Sequence, residues 1–206
     1  MTAPRPERWR SERLRRLTGW SAVVGGVVWL AHTTLLAIRP PGCVGAACFD
    51  GVRSHRDTED IAWILLVAVL LLAASIASDL ERDGGRGRRI RAAALVLCAT
   101  GAALLVLGLV VNRGRSTGAS LWWLHDSDTL GRVLPVLATL AFGLGVARIA
   151  TYRWVAALLV VAALLGLAFN AQDDRTLLSL PVGAAWIAFG LVVLRRPELR
   201  RHGSRV

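Results

Sequence analysis

Three histidines and the carboxylates near them are the residues of this chain best suited to chemistry. His32 lies inside a long apolar run, and His55 lies in the polar stretch 39–60. His125 stands in the segment SLWWLHDSD, beside Asp126 and Asp128. Imidazole and carboxylate together serve general acid–base catalysis and can hold zinc or another divalent cation. If the polar stretches converge, His32, His125, Asp126 and Asp128 are the candidate catalytic groups. The candidate metal ligands are then His32, His55, His125 and Asp128. The spacing matches no zincin or other metal motif. Solvated loop residues and helix caps account for the same side chains more simply, so no cofactor is expected, with a divalent metal as the outlying alternative.

Cys43 and Cys48 are separated by four residues that include Gly45, so the chain can turn back and join the two sulfurs. Outside a membrane such a bridge persists, and a structural staple is the favoured reading over a redox-active pair. A thiol-relay enzyme needs a second cysteine pair to pass electrons onward, and the third cysteine, Cys98, falls alone in an apolar run as a small buried apolar residue.

His32 is followed directly by Thr33 and Thr34. An ionisable group within an apolar helix is a functional candidate by default, because leaving it unpaired in hydrocarbon is costly. The plainer account is a neutral imidazole bonded to a neighbouring helix. His32, His55, Trp122 and Trp123 are the candidate binding residues. There is no Walker loop, dinucleotide glycine pattern or nucleophile elbow.

The elements that must position these groups are membrane helices. The chain is 54% apolar with a mean hydropathy of +0.51, outside the usual range of a soluble domain. Its apolar residues gather into six runs, at about 17–38, 61–78, 90–111, 130–150, 154–170 and 177–194, each near the length that crosses a bilayer. The expected fold is therefore an all-α, six-helix transmembrane bundle over 17–194. A basic N-terminal segment, 1–16, precedes it and a basic tail, 195–206, follows. The first run is too long for a cleaved signal and is read as a span.

All of the positive charge is arginine, and the net charge is +11. Basic composition can indicate nucleic-acid binding, but here the arginines border apolar runs, and nucleic acid is not an expected partner. Eighteen of the 25 fall in 1–16, 82–91, 148–153 and the tail, and seven in the intervening connections. The positive-inside rule then places both termini in the cytoplasm of a plasma-membrane, multi-pass protein. Anionic headgroups are the expected partners of the basic side. Arginine in place of lysine, with abundant Ala, Gly, Val and Leu, fits a GC-rich bacterial genome.

Trp20, Tyr152 and Trp154 should mark the inner interface and Trp63, Trp122 and Trp123 the outer one. Trp29 and Trp186 should pack between helices. Acid and threonine recur before the even-numbered runs, at 57–60, 126–129 and 173–176, as N-terminal caps. Pro135 and Pro181 fall inside runs, where either can kink a helix. Glycines, among them Gly25, Gly26, Gly183 and Gly190, allow close helix approach.

The reading favoured by these features is a non-enzymatic membrane protein whose outer face, 39–60 with 120–129, binds a lipid, a small apolar molecule or a protein partner, a second copy included. The alternative is an outer-face enzyme acting on a lipidic substrate through His/Asp acid–base or metal chemistry. A transporter or channel for an uncharged solute comes third, weakened by spans without central charges. The balance leans away from an enzyme.

Overall fold

A computed structural model describes residues 5–39, 61–82, 87–113, 122–169 and 174–195. These residues are helical, without strands. Six α-helices follow one another: α1 (Arg5–Ala37), α2 (Ala62–Arg82), α3 (Arg88–Arg113), α4 (Trp122–Val146), α5 (Arg153–Leu167) and α6 (Leu180–Arg195). Short 3-10 turns at Ala150–Tyr152 and Asp174–Ser179 lead into α5 and α6. Each helix packs on the next, and α6 returns to α1, so the six close a ring in chain order. Five segments are long and apolar enough to cross a membrane, and the apolar part of α4, Leu130–Val146, is shorter. The segment that holds Cys43, Cys48 and His55 lies outside the described residues, and so do the cap at 57–60 and the tail beyond Arg195.

The outward surface is hydrocarbon-like. Val96, Val110, Leu70, Val161 and Leu164 are more than half exposed, the inverse of a soluble bundle. Trp20 and Trp154 are also more than half exposed towards one end, and Trp63 towards the other. From Trp63 to Arg82 along α2 is about 28 Å, close to the thickness of a bilayer's apolar layer. Tyr152 departs from this pattern. It is buried and faces the bundle rather than an interface.

The α1–α6 contact is a close one, and its sequence origin is two glycine pairs seven residues apart, Gly19/Gly26 and Gly183/Gly190. A Cβ on Gly26 would stand 2.6 Å from the Gly183 carbonyl oxygen, and one on Gly183 would stand 2.7 Å from that of Gly26. A Cβ on Gly190 would meet the Gly19 carbonyl oxygen at 2.5 Å. With no apolar drive between helices in lipid, such backbone proximity and its dispersion energy hold the pair. Arg15 closes the same contact by donating to the Leu194 carbonyl at 2.6 Å and the Val193 carbonyl at 3.2 Å. These are terminal carbonyls of α6, where a cation also meets the negative end of the helix dipole.

Inside the ring, α4 and α6 meet through aromatic side chains. Phe142 stacks on Trp186 at 5.0 Å, and Phe189 stands edge-on to both, 5.1 Å from Phe142 and 5.8 Å from Trp186. The Trp186 indole donates to Thr139 Oγ1 (3.0 Å), whose hydroxyl donates to the Pro135 carbonyl (2.9 Å). Buried Trp29, Trp186 and Cys98 are where the sequence places them, and the Cys98 thiol donates to the Val69 carbonyl at 3.4 Å.

Three boundaries differ from those read in the sequence, each for a physical reason. The first helix runs back to Arg5 instead of starting at 17, supported by Glu12 pairing with Arg15 (2.6 Å) and Arg16 (3.0 Å) one turn on. The fourth begins at Trp122, so residues 126–129 lie within its first two turns and are not its cap. The sixth begins at Leu180, which makes Pro181 a first-turn proline that needs no kink. Pro135 is interior to α4, and its ring lies against Gly101 of α3.

Candidate functional site

His32 lies on the inward side of α1 and is 3% exposed. Its Nδ1 is 3.2 Å from the carbonyl oxygen of Ile61, at the entry to α2. A carbonyl only accepts, so Nδ1 carries the proton, and a neutral ring presents Nε2 as a bare acceptor. The expected imidazole bond to a neighbouring helix is therefore present on one ring nitrogen. Nε2 is buried and has no hydrogen-bond partner among the described residues.

His32 lines a small cavity bounded by α1, α2, α4, the end of α5 and the 3-10 turn before α6. Trp29, Leu65, Val136 and Phe169 give it apolar walls, and His32, Arg132 and Ser179 bring polar atoms to it. Its volume is about 10 Å³, room for a single water molecule or hydroxyl group. The Trp29 indole donates to the Ser179 carbonyl at 3.0 Å. Ser179 Oγ donates to the Thr176 carbonyl (3.2 Å), so the Thr33 hydroxyl, 2.8 Å away, must be the donor to Ser179 Oγ. This chain of bonds fixes the 3-10 turn Asp174–Ser179 against α1 and shapes one side of the cavity.

Arg132 corrects the expectation that His32 is the one ionisable side chain well inside a span. It sits in the middle of α4 and is only 6% exposed. Measured along the helices, His32 is about 24 Å from Arg16 and Arg132 about 21 Å from Val146. The two groups lie at similar depth, in the last third of the apolar layer. Sequence reading missed Arg132 because it was counted among the arginines that border the fourth run. The signal available was helical spacing, since His125, Asp128, Arg132 and Val136 recur at intervals of three and four. His125, Asp126, Asp128, Trp122 and Trp123 occupy the first two turns of α4. Among the described residues, no three His, Cys, Asp or Glu side chains gather as metal ligands.

The opposite end of the bundle holds a second charged group of residues. Asp79 of α2 is buried, and its two oxygens are held separately. Arg91 of α3 donates to Oδ2 at 2.5 Å, and Arg82 donates to Oδ1 at 2.7 Å. Arg82 also approaches the Tyr152 hydroxyl at 3.4 Å. Arg91 is fully buried, its stem laid against Gly145 of α4. Gly87, at φ +83°, turns the chain into α3 and lies against the Gly145 backbone, an approach that any side chain would block. In the sequence Asp79 falls one residue beyond the second run and both arginines look like topology signals. The i, i+3 spacing of Asp79 and Arg82 is the one local hint of the cluster.

A repeatedly membrane-crossing helical bundle, with a buried carboxylate engaged at both oxygens near one end and an open buried imidazole nitrogen near the other, is the class defined by fold and geometry. Comparison of the chain with protein-family models, curated proteins and solved structures finds no match.

Proposed function

We propose that this chain is a six-span plasma-membrane protein with both termini cytoplasmic, and that its extracytoplasmic end binds a lipid or small apolar molecule. The reading rests on one observation: His32, whose Nε2 is buried yet bare, lines a cavity whose other walls are mostly apolar. Buried polar atoms are nearly always satisfied, so an amphipathic ligand with its polar group at His32 would complete the site. In this reading Cys43 and Cys48 form a staple on the extracytoplasmic side, and the arginines of the basic end meet anionic headgroups. The aromatic cluster of Phe142, Trp186 and Phe189 occupies the ring interior, which weighs against a through-path for a solute.

A second reading, the outer-face enzyme, draws on the same bare nitrogen. An unprotonated Nε2 sharing a cavity with a buried guanidinium could serve as a general base, and Asp128 and His125 stand one and two turns from Arg132 along α4. The binding reading is preferred because the cavity as it stands has room for one small group and not for a reacting pair.

Native mass spectrometry of protein purified in mild detergent tests the binding reading. A retained lipid adduct is expected, and its occupancy should fall in Val136→Phe, which fills the cavity. Equal retention in wild type and variant would overturn the assignment to this site. Reporter fusions at both termini should report the cytoplasm, and unreduced peptide mapping should find Cys43 joined to Cys48.

A further inference from the structure

Resting on the binding reading, we infer that the polar group received beside His32 is a neutral hydroxyl, the head of a lipidic alcohol, and not a carboxylate or phosphate. Three features of the site select it over a carboxylate or a phosphate. The first is the direction of the hydrogen bond. With Nδ1 committed to the Ile61 carbonyl at 3.2 Å, Nε2 of the neutral ring accepts and does not donate, so the incoming group must bring a proton. A deprotonated carboxylate has none to offer.

The second feature is the neighbouring cation. Arg132 lines the same cavity and offers N–H donors only, so a group resting between the two must donate to His32 and accept from the guanidinium side. A hydroxyl does both with one oxygen. An alkane does neither. The third feature is size. A volume of about 10 Å³ admits one oxygen-sized group, whereas a phosphate carries four oxygens and would displace the walls.

The remaining walls state what the hydroxyl is attached to. Leu65, Val136 and Phe169 are apolar, and the cavity lies at a depth where the bundle's outer surface is itself hydrocarbon-like. A hydrocarbon chain leaving the site therefore meets apolar surface, and a sugar or other polyol would not find partners there. The ligand class is an alkyl or isoprenoid alcohol, or an acylglycerol with a free hydroxyl. These share the one recognised group.

The probe for the test is hexadecanol carrying a photoreactive diazirine in its chain, added to the full-length protein in phosphatidylcholine vesicles. Label is expected on Trp29, Leu65, Val136 or Phe169. Unlabelled hexadecanol should displace it at about tenfold lower concentration than hexadecane or hexadecanoate, the worth of one net buried hydrogen bond at the upper end of its range. His32→Leu should abolish that preference. If the variant does not fold, the order of the three competitors on wild type still decides. Hexadecanoate as the best competitor would overturn the hydroxyl inference and leave the lipid-binding reading standing. Equal competition by hexadecanol and hexadecane would do the same. Absence of label at the cavity with wild type would overturn both.

Discussion

The two ends of the bundle bury charge in opposite ways. Near the start of α3, the Asp79 carboxylate is held on one oxygen by Arg82 and on the other by Arg91, and the cluster ties α2 to α3 and to the turn at Tyr152. Near the end of α1, His32 lines a cavity; it is held on one nitrogen by a backbone carbonyl and is bare on the other. Both sites are almost wholly buried, so exposure does not separate them. Completeness does. A buried carboxylate with both oxygens engaged specifies how helices meet. A bare acceptor in the same molecule is the observation on which the binding proposal rests.

Breaking the complete site should have the largest effect. Asp79→Ala leaves guanidinium groups buried beside an emptied position and should cost about 3–5 kcal/mol of unfolding free energy, read from denaturant titration in mixed micelles. Replacing Asp79 and Arg91 together by Leu should recover much of that loss, because a satisfied buried pair adds little over apolar packing. A double variant as unstable as the single would show that the ion pair itself, and not its completeness, stabilises this end.

The α1–α6 seam comes next. Gly183→Val places a side chain against the Gly26 carbonyl and Leu30, with an expected loss of about 1–3 kcal/mol from overpacking. Thr139→Val removes the acceptor of the buried Trp186 indole and should cost about 1–2 kcal/mol, accompanied by a change in tryptophan emission. The smallest stability effect is expected at the open site. His32→Leu loses one bond to Ile61 and relieves one bare nitrogen, so unfolding should stay within about 1 kcal/mol of wild type while the preference for the alcohol over the alkane is lost. If His32→Leu were as destabilising as Asp79→Ala, the contrast between the two ends would collapse and His32 would be structural.

Much of the architecture was legible because hydrocarbon length is read directly from the chain. The six apolar runs correspond to the six helices, and glycines were legible as places of close helix approach, though not which two helices they would join. His32 was legible as a buried imidazole because an ionisable residue in an apolar run stands out. Arg132, Asp79 and Arg91 were not, because a charge near the end of an apolar run looks the same whether it faces headgroups or folds inward. The difference is decided by neighbours distant in sequence. For Arg91 it is the carboxylate of Asp79 and the space left by Gly145. For Arg132 it is the extension of α4 back to Trp122, which moves the residue from a helix end to its middle. Helix starts at 122 and 180 were misplaced because acid and threonine clusters resemble caps wherever they fall.

The account turns on His32 Nε2, and ¹⁵N magic-angle-spinning NMR of histidine-labelled protein in lipid vesicles observes that nitrogen directly. A His32→Leu sample identifies its signals among the four histidines. The account predicts a protonated Nδ1 and an unprotonated Nε2 whose resonance moves when hexadecanol is added and stays in place with hexadecane. A protonated Nε2, or one unmoved by the alcohol, would contradict it.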